Sequence, residues 1–75
     1  MPKEPPPAWV LARRRDIGER IRDARLAVGL TQEEAANSIG LDRPSWVEIE
    51  QGRRNMTINT LIRVLDVVGI HSFLE

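Results

Sequence analysis

Apolar side chains recur along this chain at intervals of three and four residues, separated by short polar or glycine-containing breaks. That period lines them up on one face of an α-helix. Ile17, Ile21, Ala24 and Val28 form the first series and predict the buried stripe of a helix over about 10–28. Ala35, Ala36 and Ile39 predict a helix over 32–39, and Trp46 and Ile49 one over 43–51. Ile58, Leu61, Ile62, Leu65 and Val68 predict a fourth over 57–68. Gly29, Gly40, Gly52 and Gly69 follow these segments as stops. A short fifth helix is expected over 70–74, because Phe73 and Leu74 are too apolar to be left bare. Trp9, Val10 and Leu11 extend the first stripe irregularly; they are expected to pack on the core, with a contact between two copies as the alternative. Gly18 costs a helix about 1 kcal/mol relative to alanine, so it marks either a close approach or a weak point.

The densest local signals lie between Leu30 and Gly52. Thr31 can accept a bond from an orphan backbone N–H, and Glu34 can reach back to complete a capping box. Ala36 is small where a crossing helix must come close. Gly40, four residues later, tolerates the left-handed backbone that a sharp turn needs. The next helix starts between Asp42 and Pro44. Proline disfavours helical geometry at the residue before it, so a start at Pro44 with Arg43 just outside is the alternative to a start at Arg43. Ile39, Leu41, Trp46 and Ile49 then point into the corner between the two helices, while Arg43, Pro44, Ser45, Val47 and Glu48 face away. A short helix held at its root with a polar outer face is the arrangement of a helix-turn-helix.

G-L-T-Q-E-E-A-A at 29–36 and I-E-Q-G at 49–52 closely resemble the phage-repressor helix-turn-helix domains of the Cro or Xre type. The resemblance spans about residues 17–70. It implies an all-α, compact four-to-five-helix lambda-repressor-like domain, with helices 2 and 3 forming the helix-turn-helix and helix 3 in the major groove of DNA. It places Arg43, Pro44, Ser45 and Glu48 where related proteins read bases. A guanidinium can pair bidentately with guanine, a hydroxyl can bond a base or a phosphate, and a carboxylate can accept from the cytosine amine. Pro44 departs from the usual polar residue and offers only apolar contact. The resemblance also assigns Gln32 to the DNA backbone and to bracing helix 3, and Arg53, Arg54 and Asn55 to phosphate. An arginine late in helix 1 and a glutamate late in helix 3 commonly pair in this family, which implies an ion pair between Arg25 and Glu50.

Composition adjusts this picture. Seventy-five residues allow one domain, read as a flexible proline-rich tail over 1–8 and a helical domain over 9–75. Four of the five prolines fall in the first seven residues, which have little to bury. Eleven basic and eleven acidic residues give no net charge and hence no global attraction to DNA. The halves differ: residues 1–28 hold seven basic and four acidic side chains, and residues 29–75 hold four and seven. The half expected to read DNA is therefore the acidic one. Arg13, Arg14 and Arg15 are read as a solvated face, with phosphate contact as the alternative. Cysteine is absent, His71 is the one histidine, and no glycine-rich phosphate loop occurs, so neither an enzyme nor a cofactor or metal site is expected. With no membrane-spanning stretch, a cytoplasmic regulator is expected, most simply a repressor. A protein-interaction module such as an antitoxin holding a toxin is the alternative. One short helix reads few base pairs, so a homodimer is expected, with Ile70, Phe73 and Leu74 as the leading contact and Trp9 and Leu11 as the second.

Overall fold

The computed structural model describes residues 4–70. Four helices follow one another: α1 (Ala8–Ala27), α2 (Gln32–Ser38), α3 (Arg43–Glu50) and α4 (Ile58–Val67). The expected fifth helix, with His71, Phe73 and Leu74, lies outside the described residues.

Each helix start follows from its local sequence. α1 begins immediately after Pro7, whose carbonyl accepts from the N–H groups of Val10 and Leu11 at 3.0 and 3.2 Å. Thr31 and Glu34 form the capping box of α2, with the two reciprocal bonds at 3.1 and 2.9 Å. Asp42 caps α3 by accepting from the Ser45 N–H at 2.8 Å. Thr57 caps α4 through the Thr60 N–H at 3.2 Å. The Asp42 cap places the start of α3 at Arg43, the first residue of the expected range. Arg43 is its first residue and Pro44 its second, because a first-turn proline sacrifices no helical bond and the cap stabilises the turn around it. At the other end of α2, Gly40 has φ +73°. There the Leu41 N–H bonds the Ala36 carbonyl and the Gly40 N–H bonds the Asn37 carbonyl, at 2.9 and 3.2 Å. These are the paired bonds of a Schellman motif, which turns the chain into α3.

All four helices contribute to the core: Ile21, Ala35, Ala36, Trp46, Ile49, Val64, Leu65 and Val68 are buried. Ala35 and Ala36 are fully enclosed, and their small side chains let α2 lie close against α3. Ile39, Leu41 and Ile70 pack half-buried against this cluster.

Two expected stripes are borne out in part: Ile21, Ala24, Leu61, Leu65 and Val68 pack in or on the core, but their other members do not. On α1, Ile17 and Val28 are 44% and 51% exposed, and the buried series is Gly18, Ile21 and Arg25. On α4, Ile58 and Ile62 are exposed, while Val64 turns inward beside Leu65 and Val68. Trp9, expected against the core, is 69% exposed, and Leu11 is also exposed. A 20-residue helix is about 30 Å long. α3 meets the α1 backbone at Gly18, and before it only Val10 and Arg14 of α1 are half-buried.

Gly18 marks a close approach. A Cβ there would come closer than 3.0 Å to the carbonyls of Ile49 and Glu50. The backbone of α1 thus rests on the last turn of α3, and no side chain fits between them. Gly18→Ala is therefore expected to destabilise the domain. Overpacking of about 1–3 kcal/mol should outweigh the roughly 1 kcal/mol gained in helix propensity. A urea titration measures this, and a midpoint equal to or above wild type would show that α1 and α3 stand further apart.

Candidate nucleic-acid interface

Arg25 sits on the buried side of α1, and little of its guanidinium reaches solvent. It donates from Nε to Glu50 Oε2 at 2.5 Å, from Nη2 to Glu50 Oε1 at 3.3 Å, and from Nη1 to the Leu30 carbonyl at 2.8 Å. The partner carboxylate belongs to the last residue of α3 and is equally buried. Trp46, one turn earlier on α3, donates its indole N–H to Glu50 Oε2 at 2.6 Å. Gln32, at the start of α2, donates its amide to Glu50 Oε1 at 3.0 Å. Burial alone would raise the Glu50 pKa. The hydrogen bonds from Arg25, Gln32 and Trp46, with the charge of Arg25, outweigh burial and hold it below the ordinary value. No buried side-chain polar atom among the described residues lacks a partner.

Arg25 and Glu50, expected to pair, are thus brought together. Trp46 was read from sequence only as a core residue, although its position four before Glu50 puts the indole within reach on the same helix face. Gln32 was assigned to the DNA backbone and to bracing α3. It bonds Glu50 at one end of α3 and accepts from Nε and Nη2 of Arg43 at the other, each at 3.3 Å.

The remaining reading candidates lie on the outer side of α3. Arg43 and Pro44 are exposed, and Ser45 and Glu48 are half-buried. Arg43, Pro44, Val47, Glu48 and Arg53 line one open groove. Ser45 does not line it. Arg54 forms a partly exposed ion pair with Glu48, 3.7 Å apart, a contact of small worth in solvent. Arg53 and Asn55 are exposed.

Gly52 fixes the position of this loop. Its φ is +72°, and a Cβ would lie 2.7 Å from the backbone of Arg14 and Arg15. The chain leaving α3 therefore rests on α1 at the basic run, and Arg14, Arg54 and Asn55 line one shallow pocket with Ile17, Ile49 and Met56. Apart from Gly52, nothing in the sequence pattern links the run to the loop. Their contact joins positions far apart in the chain.

Residues 16–72 match the family described as helix-turn-helix domain. Among solved structures, the chain is similar to the restriction-modification controller protein C.AhdI from Aeromonas hydrophila. The two are 33% identical, with a TM-score of 0.74 over 81% of this chain and 88% of that one. A search of curated proteins finds no match.

Two measurements test the buried network. Arg25→Met or Glu50→Leu alone should cost about 3–5 kcal/mol by stranding a charge, and the double variant should cost much less. Additive losses in the cycle would mean that the pair is uncoupled. The second measurement is stability against pH. The folded pKa of Glu50 is depressed, so its stabilisation is full above the ordinary value of 4.5 and is lost as pH falls through the lower folded value. Glu34, through its bonds with Thr31, and Asp42, through its bonds with Ser45, act in the same direction. Wild type minus Glu50→Gln should therefore shrink on acidification below about 4.5; a difference that stays constant would place Glu50 outside the ionised network.

Proposed function

The chain belongs to the Cro/Xre-type helix-turn-helix family, and from this we propose that it binds double-stranded DNA and regulates transcription as a repressor, with α3 in the major groove. The observation that carries the proposal is the bracing of α3. Buried bonds fix the helix at Glu50 and a surface bond holds it at Arg43, while its outer side stays uncovered. A rigid helix with an open polar face can meet base edges without first ordering itself. The similarity to a restriction-modification controller protein supports a regulatory role.

In this reading Arg43 pairs with a guanine, Glu48 accepts from a cytosine amine, Pro44 offers apolar contact, and Ser45 bonds a base or a nearby phosphate. Arg53, Arg54 and Asn55 hold phosphate, and Gln32 uses its second amide hydrogen for the same purpose. Arg54 must leave Glu48 to do so, which keeps non-specific affinity modest in a protein without net charge. No described helix is long and apolar enough to cross a membrane, and the proposed site of action is the cytoplasm.

The proposed working unit is a homodimer on a roughly palindromic site. Ile70 packs on the core, which draws it away from the leading contact set; Phe73 and Leu74 lie outside the described residues. The exposure of Trp9 and Leu11 favours the second contact set. The same exposed side chains favour a second reading, in which an outer face holds a protein partner such as a toxin. A gel shift with DNA from the chain's own promoter separates the two.

On a selected site, Arg54→Ala should weaken binding to all sequences alike and reduce the salt slope by about one. Arg43→Ala should relax preference at a single base pair, by about 1–3 kcal/mol. The reverse pattern would exchange their assigned roles. Sedimentation at micromolar concentration should show a dimer on DNA; a monomer footprinting one half-site would rule the dimer out.

A further inference from the structure

We propose that Glu50 is a positioning residue for base readout: its carboxylate decides which end of the Gln32 amide faces Arg43, and so which edge of the Arg43 guanidinium is turned to the groove. The proposal rests on the DNA-binding reading and deepens it.

An ionised carboxylate only accepts hydrogen bonds, whereas a primary amide donates at one end and accepts at the other. Gln32 Nε2 lies 3.0 Å from Glu50 Oε1, so its carbonyl oxygen must point the opposite way. Arg43 meets it there, with Nε and Nη2 each 3.3 Å from Gln32 Oε1. Reversing the amide would set a carbonyl against the carboxylate and an NH2 group against the guanidinium, replacing these bonds with two repulsions. The carboxylate cannot swing to relieve this, because Arg25 and Trp46 hold it from α1 and from its own helix. The amide therefore has one orientation.

That orientation aims Arg43 without sequestering it. Gln32 occupies the edge formed by Nε and Nη2. Nη1 makes no hydrogen bond among the described residues, so the end carrying Nη1 and the outer hydrogen of Nη2 is open. That end has the fork geometry needed to span O6 and N7 of guanine. Arg43 also sits where two grooves meet, one lined with Gln32 and Arg25 and the other with Pro44 and Glu48. A charge enclosed in the core is thus two hydrogen bonds away from an exposed reading side chain.

Glu50→Gln tests the proposal, because glutamine nearly preserves size but can donate or accept and no longer dictates the Gln32 orientation. Two readouts are taken on folded protein. In the free protein, the ¹⁵N–¹H resonance of Arg43 Nε should be shifted and slow to exchange in wild type, and should move towards that of a free arginine in the variant. In selection from random DNA, the variant should lose preference, on the order of tenfold, at the one base pair that Arg43→Ala also relaxes, with other positions retained. An unmoved Arg43 resonance, or a uniform loss across all positions that follows the drop in stability, would overturn the proposal. Should Glu50→Gln fail to fold, Gln32→Leu leaves the Arg25–Glu50 pair in place and gives the same two readouts. It should relax that base pair on top of a general weakening, and a general weakening alone would count against the proposal. A wild-type protein that selects no site would remove the DNA-binding reading. The Arg43 resonance would then still show whether Glu50 controls the amide.

Discussion

The architecture depends on one carboxylate removed from water. An ionised group in the interior is tolerated only when donors surround it. Around Glu50 those donors come from all three of the first helices: Arg25 from α1, Gln32 from α2 and Trp46 from α3. Aliphatic contacts are non-directional, and a core built only from them would allow small shifts of one helix past another. Hydrogen bonds to a single charged centre fix distances and directions together, and so set the mutual placement of the three helices. Buried ion pairs often add little to stability relative to an apolar replacement; the bonds around Glu50 join three helices at one point.

The close helix crossing supports the same placement. Gly18 lets the backbone of α1 touch the last turn of α3, where Glu50 is situated. Ala35 and Ala36 let α2 approach from the other side. Small residues bring the helices within reach, and the polar network then becomes geometrically possible. In a domain of this size, where the apolar core is limited, short distances compensate for the small number of large side chains.

Different parts of the structure were legible in the sequence to different degrees. The turn between α2 and α3 was readable because its signals are local: Thr31 with Glu34 at one end, Gly40 with Leu41 at the other. The pairing of Arg25 with Glu50 was readable only through family resemblance, since nothing local connects residues so far apart. The buried faces of α1 and α4 were only partly legible, for a physical reason. Gly18 and Arg25 occupy inward positions that hydropathy does not count as core. On α4, apolar residues cover too much of the circumference for spacing to select one side. The start of α3 stood open between Arg43 and Pro44, because the restriction imposed by Pro44 opposes the Asp42 cap. That Gln32 braces α3 was readable through the resemblance; that Arg43 is its partner was not, because the bond joins the first residues of two successive helices, whose relative placement only the folded turn defines.

The outer groove of α3 stands apart from this tightly determined interior. Pro44, Glu48 and Arg53 line it, yet none belongs to the core or to the bonds around Glu50. Evolution can therefore exchange these side chains without disturbing the fold, and so explore new partners by single substitutions at little risk of unfolding. Arg43 has less of this freedom, because its neighbour on α2 is tied to the interior. In a lineage descended from this chain, change would come first at Pro44, Glu48 and Arg53, which no buried bond holds, and at the arginine only together with Gln32.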